Sequence, residues 1–201
     1  MDRSGLREYI LKPGYIFFTA DPTMILAVLG TSVAVTFFDR EKKAGGMNHF
    51  VYPWLSPEVQ PTALYARPAM MQLIRLFHHA GSRVDKIEAH VIGGATPEDA
   101  DGNQAEIGRN NVEAAVRLLE HYGIPIAGQE IGGRQGRKVL FNSSTGELVI
   151  AKVDQIRSSD WYPDAHIGFT QSEEQQEDTV TTENLDEPSE YSGEPSSEQR
   201  G

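Results

Sequence analysis

Short runs of apolar and β-branched residues, separated by turns rich in glycine, proline and charged residues, recur between residues 15 and 153. Runs of this kind predict β-strands. They cover residues 15–19, 24–29, 33–38, 45–52, 86–92, 124–131, 138–141 and 147–153. Only Gly30-Thr31-Ser32 separates the second run from the third, so these two predict either two strands or one bent strand. The last two runs flank Asn142–Gly146 and predict a hairpin.

Two segments instead place their apolar residues at helical spacing. The first covers residues 69–79 and is followed by Gly81, and the second begins near Asn110 and is followed by Gly123. The residues on their apolar faces are Met70, Leu73, Ile74 and Phe77, and then Val112, Ala115, Val116 and Leu119. Residues 96–104 are polar and predict a loop. Strands joined partly by hairpins, together with two helices, predict an α+β domain.

The C-terminal residues have a different composition from the rest. Residues 171–201 contain ten acidic residues and one arginine, so they hold −9 of the net charge of −11. Such a segment has few large apolar residues to offset its ordering entropy, and we expect it to be disordered. The sequence therefore predicts a lead-in of residues 1–9, a folded domain of residues 10–160 and an acidic disordered tail of residues 161–201.

Composition also excludes several classes of partner and site. The chain before the tail is nearly neutral and has no cluster of Lys and Arg, so we expect no nucleic-acid partner. No run approaches the roughly 20 apolar residues of a membrane span, which predicts no membrane insertion. The chain has no cysteine, and a cytoplasmic location is the simplest expectation. None of the six histidines has metal-site spacing, so we expect no metal and no cofactor.

Two polar residues interrupt apolar strands at places that could form a site. Ser32 follows Gly30-Thr31, and His49 follows Gly45-Gly46. A hydroxyl and an imidazole in such places can act as nucleophile and general base. Each residue also has an ordinary explanation, since a serine at a strand bend usually bonds the backbone and a histidine near a strand usually packs. The pattern alone does not predict an enzyme, and it predicts no substrate-binding residues.

Several motifs nevertheless occur in the order and spacing of one protein family. Residues 28–35, VLGTSVAV, resemble the CheD stretch LGSCVAV, and residues 45–50, GGMNHF, are similar to its GGMNHF element. Residues 107–113, IGRNNVE, resemble the IGxRNVE helix start of the family. Further similar motifs lie at 93–95, 123–126, 132–133, 136–141 and 145–146. On a resemblance that covers about residues 10–153, the chain is identified as a member of the CheD family.

The resemblance implies a fold, a reaction and partners. The implied fold is a layered mixed β-sandwich with two main helices, related to cysteine-dependent deamidating toxins. The implied reaction is the conversion of glutamine side chains to glutamate, with release of ammonia and without a cofactor. The implied substrates are the cytoplasmic helices of chemoreceptors, the methyl-accepting chemotaxis proteins. A CheC-type phosphatase is a further implied partner.

The catalytic residues that the resemblance implies are only partly present. In the family a cysteine attacks the amide carbon, a histidine takes its proton and a threonine assists. The histidine corresponds to His49, the cysteine to Ser32, and the threonine falls at Leu26 or Ala27. Because a hydroxyl is a much weaker nucleophile than a thiol, we expect weak turnover or none. Two alternatives stay open: a weak deamidase that uses Ser32 and His49, or an inactive homologue that binds chemoreceptors or a CheC-type phosphatase as an adaptor.

Overall fold

The computed structural model describes residues 6–97, 102–156 and 160, all within one compact unit of residues 1–167. The predicted tail of residues 161–201 lies outside the described residues. The described elements, in chain order, are β1 Arg7–Ile10, β2 Ile16–Thr19, β3 Thr23–Leu29, β4 Val33–Asp39, β5 Ala44–Phe50, α1 Ala66–His79, a 3₁₀ turn Val84–Lys86, β6 Ile87–Gly93, α2 Gly102–His121, β7 Ile126–Ile131, β8 Gly136–Asn142 and β9 Leu148–Val153. None of the helices in the described part of the chain is long and apolar enough to cross a membrane.

The strands form two sheets, and the helices add a third layer. One sheet has the order β1-β3-β8-β9 and the other the order β2-β5-β4-β6-β7, with both parallel and antiparallel pairs. Apolar side chains from both sheets form a core between them, and a second core joins α1 and α2 to the other face of the five-stranded sheet. The prediction of an α+β layered structure with mixed sheets and two helices is confirmed.

Strand β4 is central to this arrangement, and all of its residues are buried. Val33, Val35 and Phe37 belong to the core beneath the helices, whereas Ala34 and Phe38 belong to the core between the sheets. A strand that is covered on both faces needs apolar residues at successive positions. This requirement explains why residues 33–38 are apolar at every position except Thr36, rather than at alternate positions.

The structure decides between the two predictions for the apolar runs on either side of residues 30–32. Strand β3 lies in the four-stranded sheet and strand β4 in the five-stranded sheet, so they are two strands rather than one bent strand. Residues 30–32 connect the two sheets. Ser32 therefore lies where the chain crosses from one sheet to the other.

Element bounds differ from the predictions at the first strand and at the start of the second helix. Strand β1, which lies mostly within the predicted lead-in of residues 1–9, was missed because it is short and largely exposed. Helix α2 begins at Gly102, so the loop predicted for residues 96–104 was partly wrong. Its first residues, Gly-Asn-Gln, have no apolar stripe, and the helical pattern becomes readable only further along. The predicted hairpin is confirmed, with Phe141 of β8 opposite Leu148 of β9.

Candidate active site

The crossing between the sheets brings the two predicted site residues together. His49 lies near the end of β5, which pairs with β4 so that Val33 is opposite Phe50. Ser32 directly precedes β4, and its Oγ atom lies 2.9 Å from the Nε2 atom of His49. His49 is fully buried, whereas Ser32 keeps 7% of its surface exposed. Ser32 is therefore the more accessible residue of the pair.

The surroundings of His49 hold its imidazole in one protonation state. Burial lowers its pKa to about 4, against the opposing effect of a hydrogen bond to Leu11, so the ring is neutral at pH 7. Its Nδ1 atom lies 3.4 Å from the carbonyl oxygen of Leu11. A carbonyl can only accept, so Nδ1 carries the proton and Nε2 has a free lone pair. The Ser32 hydroxyl donates to this lone pair, as a nucleophile does to its general base.

Acidification is expected to destabilise the fold through His49. Its folded pKa of about 4 lies below the ordinary value of 6.5, so between these values the unfolded chain binds the additional proton. The stability linked to His49 is complete above pH 6.5 and is lost as the pH falls toward 4. Denaturant unfolding measures this loss, which is about 2–3 kcal/mol between roughly pH 7.5 and pH 4.5. His49→Gln should remove this part of the pH dependence, and equal losses in both proteins would contradict a buried neutral His49.

The positions predicted for the family threonine carry apolar side chains, and a backbone group orients the imidazole instead. Ala27 packs in the core between the sheets. The carbonyl of Leu26 accepts the N–H of Leu11 at 2.7 Å, which fixes Leu11 beside His49. Because the carbonyl of Leu11 accepts the Nδ1 proton, the loss of the threonine does not leave the ring without an orienting partner. Sequence reasoning missed this group, since every residue has a carbonyl.

The connection that carries Ser32 is tied to the end of β6. The carbonyl of Gly30 accepts the N–H of Ala95, and the carbonyl of Ser32 accepts the N–H of Gly94, both at 2.9 Å. Buried backbone groups that are satisfied in this way do not move independently of their partners. The position of the hydroxyl is therefore set by the main chain of a neighbouring strand end.

Gly93→Ala is expected to disrupt this contact. Gly93 has a φ of +114°, and a Cβ added there would lie 2.3 Å from the carbonyl oxygen of Ser32. Backbone strain and the clash together should cost at least about 3 kcal/mol of unfolding free energy. Gly123→Ala is a matched control, because Gly123 has a φ of +67° but nothing within 4 Å of an added Cβ. Its cost should be about 1–2 kcal/mol by denaturant unfolding, and equal costs would contradict the close approach at Gly93.

The side chains present can support nucleophilic attack assisted by a base. Within the residues described, no three His, Asp or Glu side chains are grouped as metal ligands would be. The partner of Ser32 Oγ is an imidazole nitrogen, and the partner of that imidazole is an uncharged carbonyl. This differs from a Ser-His-Asp triad, in which a carboxylate stabilises the imidazolium that forms during attack.

Known proteins resemble this chain over most of the folded part. Residues 55–152 match the family model described as CheD chemotactic sensory transduction, a match that begins beyond Ser32 and His49. A Trichlorobacter lovleyi protein named probable chemoreceptor glutamine deamidase CheD is 35% identical over 154 residues, which cover 77% of this chain and 96% of that protein. Probable chemoreceptor glutamine deamidase CheD 1 of Anaeromyxobacter dehalogenans is 37% identical over 142 residues, 71% of this chain and 82% of that protein.

A third relative is the Thermotoga maritima protein named chemoreceptor glutamine deamidase CheD. It is 33% identical over 151 residues, which cover 74% of this chain and 90% of that protein. All three similarities extend over most of the relative's own length. The chain therefore belongs to the CheD family.

Proposed function

We propose that this chain deamidates glutamine side chains of chemoreceptors, with Ser32 as the nucleophile and His49 as the general base. The observation that carries the proposal is the 2.9 Å contact between the Ser32 hydroxyl and a neutral imidazole. The names of the relatives support the substrate, and the reaction would take place in the cytoplasm, on the receptor's cytoplasmic helices. The relation to cysteine-dependent deamidating toxins stays a prediction, and the proposal does not depend on it.

The proposed reaction has two halves. Ser32 Oγ attacks the side-chain amide carbon while its proton passes to His49 Nε2, and a tetrahedral intermediate forms. The carbon–nitrogen bond then breaks, and the imidazolium gives the proton to the leaving nitrogen, so that ammonia departs and an ester of Ser32 remains. In the second half, His49 takes a proton from water, which attacks the ester. The bond between the carbon and Ser32 Oγ then breaks and His49 returns the proton to that oxygen, while the glutamic acid product leaves and gives its own proton to solvent.

Three features of the site predict that this reaction is slow. A serine hydroxyl is a far weaker acid than a thiol, whose ordinary pKa is about 8.5. Burial lowers the pKa of His49 to about 4, which makes the imidazole a weak base. The carbonyl at Nδ1 has no negative charge with which to stabilise the imidazolium that must form. Each feature raises the free energy of the same proton transfer.

This barrier favours a second candidate function, in which the chain binds without turnover. The feature that favours it is Ser32, a serine where the resemblance to the family implies a cysteine. An inactive homologue that keeps the binding surface could act as an adaptor for chemoreceptors or for a CheC-type phosphatase. It would associate with one of these partners and release no ammonia.

A deamidation assay with a receptor fragment distinguishes the two candidates. The intact chain is incubated with the cytoplasmic part of a chemoreceptor, ammonia is measured, and new glutamates are located by mass spectrometry. The proposal predicts glutamate at particular glutamine positions, and no conversion with Ser32→Ala. Association without conversion would overturn the deamidase proposal in favour of the adaptor. Absence of both association and conversion would overturn the deamidase and the receptor adaptor, and the same binding measurement with a CheC-type phosphatase would then test the remaining adaptor role.

A further inference from the structure

We infer that Asn111 is a positioning residue that holds Ser32 and His49 at their reactive separation. Neither its position in a motif nor the names of the relatives assigns it this role. The inference rests on the proposed function, because it concerns the same pair of side chains. It is carried by the two hydrogen bonds that the Asn111 amide makes.

The side chain of Asn111 joins the two segments that carry the pair. It projects from α2 and is fully buried. Its Nδ2 atom donates to the carbonyl of Thr31 at 2.9 Å and to the carbonyl of Val51 at 2.8 Å. Thr31 directly precedes Ser32, and Val51 is the second residue after His49. Both hydrogens of one amide group are therefore used to bridge the nucleophile's segment and the base's segment.

The bridge lies where the β4–β5 ladder stops. The register recorded between these strands ends with Val33 opposite Phe50. Ser32 and Val51 are the next residues on each side, at the position where the two chains separate. Beyond the end of a ladder, main-chain groups need another partner to keep a fixed separation. The Asn111 amide supplies that partner from the helix layer.

The same amide completes the support of the crossing between the sheets. The carbonyls before and after that of Thr31 accept backbone N–H groups, whereas the carbonyl of Thr31 accepts a side-chain donor from Asn111. Helix α2 packs closely against the residues that follow β6, since a Cβ added at Gly108 would lie 2.5 Å from the carbonyl oxygen of Ala95. The helix is thus placed closely enough to set the position of the Asn111 amide.

The unused oxygen of Asn111 indicates that the residue is not there for stability alone. Its Oδ1 atom is buried and has no hydrogen-bond partner among the described residues. A buried polar atom without a partner costs stability, so an asparagine is a poor choice for a position that only needs filling. Its two donor bonds are what an apolar residue of similar size could not supply.

The test uses a single thiol in place of the hydroxyl. The chain has no cysteine, so Ser32→Cys creates one reactive group, and its alkylation by iodoacetamide can be followed directly. His49 should accelerate this alkylation, and S32C/H49Q measures the rate without it. In S32C/N111L, which removes both donors, the His49-dependent part of the rate should fall about ten-fold or more. Adding H49Q to that variant should then have little further effect.

Controls separate positioning from stability. Leu119 is fully buried on the same helix, and S32C/L119A should be less resistant to denaturant than S32C while keeping its His49-dependent rate. Asn111→Gln keeps the donors on a longer side chain and should recover part of the rate. If Asn111→Leu does not fold, Asn111→Ser serves instead, and retention of its full rate overturns the inference. The inference is also overturned if S32C/N111L and S32C/L119A lose the same part of the His49-dependent rate for the same loss of stability.

Failure of the inference and failure of the proposed function are distinguishable, because alkylation needs neither receptor nor turnover. A His49-dependent thiol that depends on Asn111, in a chain that deamidates no receptor, supports the inference and overturns the function. If the chain deamidates a receptor and the alkylation rate is the same with and without Asn111, only the inference is overturned. If S32C and S32C/H49Q are alkylated at the same rate, both the inference and the proposed function are overturned.

Discussion

The Ser32→Cys variant is expected to deamidate chemoreceptor glutamines roughly several hundred-fold faster than the chain with Ser32, or more. The reason is the proton transfer to His49 Nε2, which is 2.9 Å from the Ser32 oxygen. A thiol with an ordinary pKa of about 8.5 gives up its proton far more readily than a hydroxyl does, and its thiolate is the stronger nucleophile. If the rest of the site is in place, replacing the Ser32 oxygen by sulfur should therefore restore most of the deamidase activity.

Ammonia release and glutamate mapping on a receptor fragment measure this gain. Ser82→Cys is a matched control, since Ser82 is also buried and its hydroxyl has no hydrogen-bond partner among the described residues. A thiol at that position should fold normally and produce no gain. If Ser32→Cys binds the receptor fragment and still releases no ammonia, the site is not built for a side-chain amide, and the deamidase account fails.

Loss of the base is expected to have the largest effect of all in the active variant. His49→Gln, introduced together with Ser32→Cys, should lower turnover by about 10⁴-fold, or roughly 5 kcal/mol of barrier. The imidazole of His49 is the hydrogen-bond partner of the Ser32 oxygen, and burial keeps this ring neutral and able to accept a proton. A glutamine can fill the space and form hydrogen bonds, but its amide cannot take the proton from the thiol.

His90 offers a matched control for that substitution. It lies in the neighbouring strand β6 of the same sheet, and burial lowers its pKa as it does that of His49. Its ring packs against Gly128 on β7, away from the crossing between the sheets. S32C/H90Q should therefore keep the turnover of S32C in the same ammonia assay. Similar losses in the two variants would mean that His49 acts through stability and not as a base.

Where burial imposes a readable pattern, the fold could be predicted from the sequence. Strand β4 is covered on both faces, and its residues 33–38 are apolar except for Thr36. The apolar face of α1 predicted the position of that helix to within a few residues. The pattern fails at strand β1, which is short and largely exposed, and at the start of α2, whose first residues Gly-Asn-Gln are not apolar. The close approach of Gly45 to a neighbouring segment, where an added Cβ would lie 2.5 Å from the backbone of Ser143, depends on tertiary structure and not on a local pattern.

The candidate site was only partly predictable. Ser32 and His49 stood out as polar residues inside apolar strands, but only the pairing of β4 with β5 places their side chains in contact. The carbonyl of Leu11 has no sequence signal, because its role depends on where the chain passes and not on its side chain. The sequence does contain a feature that points to Asn111. It is a polar residue directly beside the apolar face of α2, where a buried amide needs partners.

Both catalytic predictions depend on an imidazole that is uncharged at neutral pH, with its proton on the nitrogen facing Leu11 and its other nitrogen open to Ser32. Nitrogen-15 NMR of the intact, labelled chain measures this directly, because the two ring nitrogens have different shifts in each tautomer and in the charged form. We expect the Nδ1–H tautomer for His49 at pH 7, with a titration midpoint near the pKa of about 4. A proton on Nε2, or a midpoint near the ordinary value of 6.5, would contradict it.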